Sequence, residues 1–184
     1  MIALRDSFLV VLMMTRPLSL RLGQPDDDYV STFEGAARRN FIDADNLRRS
    51  SRRAAAIYLY GYSVEMNVKA AYFRNLFQAT GAPPGTRITG QLRRQEADTW
   101  QAIHASRKPT PHDIEGWANL LVRKRVSLGM AHAGALATEI INRAASVYLM
   151  WREYMRYRVI RILDPEVKAV RSDALWFRRN YAAL

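Results

Sequence analysis

The stretch AAAIYLYGYSVEMNVKAAYFRNLF, Ala54 to Phe77, decides the fold. It predicts a long helix, and at about 100° per residue Ser63, Asn67 and Arg74 fall on one stripe of it. Glu65 and Lys69 fall nearly opposite, among Tyr58, Tyr62, Tyr72 and Phe73. An amphipathic helix normally turns such charges to water. Here they share the aromatic side. The two residues are four apart with the acid first, the orientation in which they meet on one helix face. The pattern predicts an ion pair carried into a helix-helix contact.

Working outward, this helix is expected over about Ser51 to Thr80 and ends at Gly81, with Pro83, Pro84 and Gly85 in a loop over 81–90. Upstream, Asp26 to Asp28 suit a helix start, because carboxylates accept from free amides there. A helix to about Arg49 follows, with Phe33, Ala36, Ala37, Phe41 and Ala44 on its apolar side. Downstream, Gln91 to Ser106 read as a surface helix carrying Leu92, Ala102 and Ile103. Thr110, Pro111, His112 and Asp113 form a capping-box pattern, with Thr110 as cap and Asp113 reaching back to it. Ile114, Trp117 and Leu121 then share one face. Gly129 marks a bend before a helix expected from about Ala131 to Arg158, on which Leu136, Ile140, Val147, Trp151 and Tyr154 recur at helical spacing. Asp164 as cap, Pro165 and Glu166 open a last helix lined by Val167, Val170, Ala174, Phe177 and Tyr181. No segment has strand period. The expected class is all-α, a bundle of four main helices with additional short helices.

The chain has 184 residues and 49% hydrophobic content, enough for one domain with its own core. That domain is expected over 26–184. Residues 1–25 read as an N-terminal extension, whether an arm, an edge strand or a disordered leader. The apolar run Phe8 to Met14 is too short for a membrane span and lacks the basic start and cleavage pattern of a signal peptide. Cysteine is absent, which removes disulfides, thiol catalysis and cysteine zinc sites and fits a reducing, cytoplasmic setting. Net charge is +11, and it belongs to the folded part: residues 1–51 hold seven Arg against seven Asp or Glu. Two readings of this excess stay open. Basic surfaces attract polyanions such as RNA or nucleotides. Equally, only four of the 28 basic residues are Lys, and an Arg-rich, Ala-rich composition can reflect codon bias.

Three segments occur in an informative order: GYSVEMNVKAAY (Gly61 to Tyr72), HDIEGWANLL (His112 to Leu121) and WREYMRY (Trp151 to Tyr157). Together they resemble the HEPN family, the higher eukaryote and prokaryote nucleotide-binding domain. The resemblance rests on Gly61, Tyr62, Glu65 and Lys69, on His112, Asp113 and Ile114, and on Trp151 followed five residues on by Arg156 and Tyr157, the pattern of one branch. It covers about residues 30–184. It implies a HEPN-like bundle, commonly a homodimer, associated with RNA or a nucleotide. In prokaryotes such proteins are often linked to defence or to toxin-antitoxin pairs with a nucleotidyltransferase partner.

Active nucleases of the family pair an Arg with a His, four to six residues lying between them, often with Asn beside the Arg. Arg107 with His112 and Arg125 with His132 meet that spacing. The first pair is crossed by two prolines and a helix start, and the second lacks the Asn. Metal-independent RNA cleavage needs a base for the 2′-hydroxyl proton and a cation for the phosphorane charge, which Arg125 and His132 could supply. The branch with the Trp and Arg-Tyr pattern generally lacks the nuclease pair, which favours binding. Glu65, Lys69, His112, Arg156 and Tyr157 are then the candidate ligand-binding or interface residues, and His104 reads as a surface residue. No cofactor and no metal site are expected, since neither a phosphate-cradling glycine loop nor a zinc-binding helix is present. The leading reading is a binding protein. An endoribonuclease is the alternative, and a helical adaptor without a nucleic-acid role is the third.

Overall fold

The computed structural model describes residues 28–104, 112–130, 134–152 and 161–184, the side chains of 100–104 excepted. The extension 1–25 lies outside them. The protein is all-helical: α1 (Val30–Arg49), α2 (Arg53–Thr80), α3 (Gly90–His104), α4 (Ile114–Ser127), α5 (Gly134–Met150) and α6 (Asp164–Asn180), followed by a 3₁₀ turn at Tyr181–Ala183. Among the described residues no strand forms, and an isolated bridge joins Asp28 to Ile88. No described helix is long and apolar enough to cross a membrane.

The central element is α2, against which α1, α4, α5 and α6 all pack. Its aromatic side is buried, as expected. So is part of the opposite stripe: Ser63 is as enclosed as Val64, Val68 and Phe73, Asn67 is buried, and Arg74 is half-buried. A helix packed on both sides reads as mixed in the sequence because polar residues such as Ser63, which donates to Ala37 O, also find partners inside. Gly61 lies in its middle, where glycine costs about 1 kcal/mol relative to alanine. The reason is close approach, since a Cβ there would meet Trp151 Cδ1 at 2.1 Å.

Helix ends follow local chemistry closely. Gly81 and Gly129 are left-handed, with φ of 65° and 69°, and end α2 and α4. At both, the next amide returns to a carbonyl five residues back: Ala82 N–H to Phe77 O at 2.9 Å and Met130 N–H to Arg125 O at 2.8 Å. The end of α1 repeats this geometry with Ser51 at φ 58°.

Helix starts depart from expectation. Asp28 does not cap α1. Its backbone pairs with Ile88, and its carboxylate takes Arg93 Nη1 at 2.8 Å, so the helix opens after Tyr29 without a side-chain cap. Asp113, not Thr110, caps α4, accepting from Gly116 N–H at 2.9 Å; Thr110 and Pro111 lie outside the described residues. At α6 the cap position is Leu163, whose amide donates to Glu166 Oε2 at 2.6 Å. Asp164 instead accepts from Arg53 Nε at 2.7 Å, tying the start of α6 to the start of α2. The helix expected to reach Arg158 ends at Met150, and Trp151 follows it.

Between helices, ionic contacts clamp the periphery. Asp45 on α1 accepts from Arg171 Nε of α6 at 2.7 Å and from the hydroxyl of buried Tyr60 on α2 at 2.5 Å. On α5, Arg143 reaches Asp173 of α6 at 2.8 Å. The Tyr72 hydroxyl donates to Glu96 of α3, which Lys124 of α4 approaches at 3.5 Å.

Candidate functional site

The polar cluster grows out of α2. One helical turn brings Lys69 Nζ to 2.5 Å from Glu65 Oε1. The other carboxylate oxygen, Oε2, lies 3.1 Å from His112 Nδ1. The carboxylate accepts, so this bond requires hydrogen on Nδ1 and leaves Nε2 as the basic nitrogen of a neutral ring. His112 precedes the Asp113 cap, and that cap fixes the chain as it turns into α4. Glu65 and Lys69 come from one helix; the histidine is delivered by the turn that leads into α4, 47 positions from Glu65.

The three side chains grade from core to surface. Glu65 is 0% exposed and Lys69 6%, while His112 is 34% exposed. A buried carboxylate stays charged only where partners replace its water, and here both oxygens have one. Aromatic rings supply the walls. Lys69 Nζ lies 5.4 Å from the Trp117 ring centroid. Tyr62 meets His112 edge-on at 5.7 Å and Trp151 at 5.4 Å. Trp151 is held by a hydrogen bond from Nε1 to Tyr58 O at 2.9 Å and by its contact with Gly61. The arrangement can hold one proton on His112 against a fixed anion, and it offers an imidazole beside aromatic faces.

Of the candidate residues, the structure therefore unites Glu65, Lys69 and His112. Trp151, Tyr62 and Gly61 of the same motifs join them. Arg156 and Tyr157 lie outside the described residues, as do Arg107 and His132; so does the side chain of His104. Arg125 is described, and it is far from a bare catalytic cation. Its guanidinium donates from Nη1 to Leu184 O and from Nε to Met130 O at 3.3 Å. The same Leu184 carbonyl accepts from Asn75 Nδ2 at 2.9 Å. Burial, with Arg74 nearby, holds the Arg125 guanidinium below the ordinary range for arginine. Its contacts read as a brace between the end of α4 and the 3₁₀ turn.

Other perturbed groups escaped sequence reasoning. Burial and the Asp45 bond push the Tyr60 hydroxyl up to about 12. The Arg171 hydrogen bond holds the Asp45 carboxyl below its usual range, against the opposing effect of burial. Burial, with Glu96, raises Tyr72 well above the normal phenol range. Arg171 is 126 positions from Asp45, so no spacing rule could have paired them. Among the described residues no group of three or more His, Cys, Asp or Glu is placed to hold a metal ion.

No family model matches the chain, and neither a curated protein nor a solved structure does.

Proposed function

We propose that this is a HEPN-like protein that acts by binding RNA or a nucleotide, as a dimer or with a nucleotidyltransferase partner, in a cytoplasmic defence or toxin-antitoxin system. The observation that carries the reading is the Glu65–Lys69–His112 cluster. Its elements are the motif residues on which the family resemblance rests, and they meet in one place. A pair built for stability alone has no need of a third, half-exposed member, since buried ion pairs are often replaceable by apolar residues without loss. His112, backed by Glu65 and flanked by Tyr62, presents an acceptor nitrogen and a ring face of the kind that engages bases. The net charge of +11 supports a polyanionic ligand.

The test is binding of a fluorescent single-stranded RNA and of ATP to the purified chain at low and moderate salt. Affinity for at least one should fall steeply with salt, and His112→Ala should weaken it in a chain that still melts cooperatively, at a temperature lowered by loss of the Glu65 contact. Absence of binding to both at low salt removes the reading and leaves the adaptor.

A second reading, RNA cleavage, is favoured by one contact: Glu65 orients the His112 ring as a carboxylate orients a general base. With chelator present, cleavage of a mixed RNA that His112→Ala abolishes assigns the base to His112. Loss in His132→Ala alone assigns it to the pair Arg125 and His132. Intact RNA with all variants leaves binding as the function.

A further inference from the structure

We infer that a second site, a cleft between α1, α2 and α6 lined by Arg38, Asn67 and Arg178, binds a phosphoryl oxyanion. The cleft measures about 290 Å³, with Glu34 and Tyr181 completing its wall. It lies on the Ser63–Asn67–Arg74 stripe of α2, opposite Glu65, so it is separate from the His112 cluster and does not depend on the reading above.

Three members of that stripe tell the story. Ser63 Oγ donates to Ala37 O at 2.8 Å. Arg74 Nη2 donates to Tyr181 O at 3.0 Å, and its guanidinium stacks on the Tyr181 ring at 4.5 Å. Asn67, between them, is 6% exposed and lines the cleft, yet its amide has no hydrogen-bond partner among the described residues. The amide is not sealed from solvent, so it stands open to an occupant at the face of the cleft.

The charge around Asn67 says which occupant. Arg38 makes no ion pair or hydrogen bond among the described residues, and Arg178 is engaged only by the face of Phe41 at 5.1 Å. The single carboxylate of the wall, Glu34, already accepts from the Tyr181 hydroxyl at 2.7 Å. Two guanidiniums and one amide thus surround a cleft with one spoken-for anion. Arginine forks and an amide N–H suit the several oxygens of a phosphoryl group. The volume lies near the lower limit of small-molecule pockets, about 300 Å³, which favours a compact anion.

The experiment titrates the full chain with sodium phosphate, against sodium chloride at equal ionic strength, following ³¹P NMR line width and melting temperature. Saturable phosphate binding is expected. Arg38→Gln combined with Arg178→Gln, both exposed, should weaken it by at least about tenfold. Asn67→Asp, which puts a carboxylate where the anion rests, should abolish it. Adenosine monophosphate and a short RNA, each competed against phosphate, separate the sources: displacement by the nucleotide alone supports a terminal phosphate, displacement by both a phosphodiester as well. A response that never saturates, that chloride reproduces, or that survives the double Arg variant overturns the site. Should Asn67→Asp fail to fold, the Arg variant decides alone. Failure here leaves the Glu65–His112 reading standing.

Discussion

Glu65 has no route to solvent, so everything about it depends on Lys69 and His112. Removing it strands an ammonium group that is 6% exposed. Glu65→Ala is therefore expected to cost about 3–5 kcal/mol in urea denaturation, the usual penalty for breaking a buried pair. Replacing both charges, as in Glu65→Met with Lys69→Met, should recover most of that loss, because no charge remains to be desolvated. A single variant that loses less than about 1 kcal/mol would mean that water reaches Lys69. The pair itself was legible in the sequence, since a separation of four fixes its geometry. Its link to His112 was not: only the packing of α4 on α2 brings the imidazole there, although both residues stood out on motif grounds.

At the level of elements, the close approach of Trp151 to α2 makes Gly61 irreplaceable. Gly61→Ala must displace the indole, because a Cβ would lie 2.1 Å from it, and should cost about 3 kcal/mol despite the better helix propensity of alanine. Circular dichroism melts check this; a stabilised variant would show that Trp151 has room to withdraw. Helix ends and helix starts differ in how well they could be read. Gly81 ended its helix as expected and Gly129, read as a bend, closes α4, because a left-handed residue has few alternatives. Starts were misplaced wherever an acidic residue had a better partner elsewhere in the fold. Asp28 is taken by Arg93 and Asp164 by Arg53. An Asp before a helix is a cap only if no guanidinium competes for it, and that competition is tertiary.

For the molecule as a whole, the clamp of Asp45, Tyr60 and Arg171 joins α1, α2 and α6 and makes stability depend on pH at both extremes. Tyr60 titrates at about 12 in the folded chain against 10.0 when unperturbed. Its contribution is complete below pH 10 and lost as pH rises through about 12. Asp45 is depressed below 3.8, so its contribution is complete above that value and lost as pH falls through the folded one. Melting temperature should hence fall between pH 10 and 12, and Tyr60→Phe should flatten that slope in part, Tyr72 and Tyr181 also being raised. At neutral pH the same variant should lose about 1 kcal/mol for the bond to Asp45. An unchanged alkaline slope would place the sensitivity elsewhere. The enclosure of α2 by four other helices has one more consequence. Its amides can trade hydrogen for deuterium only when the surrounding helices come apart, so in heavy water α2 should be the last part of the chain to gain mass.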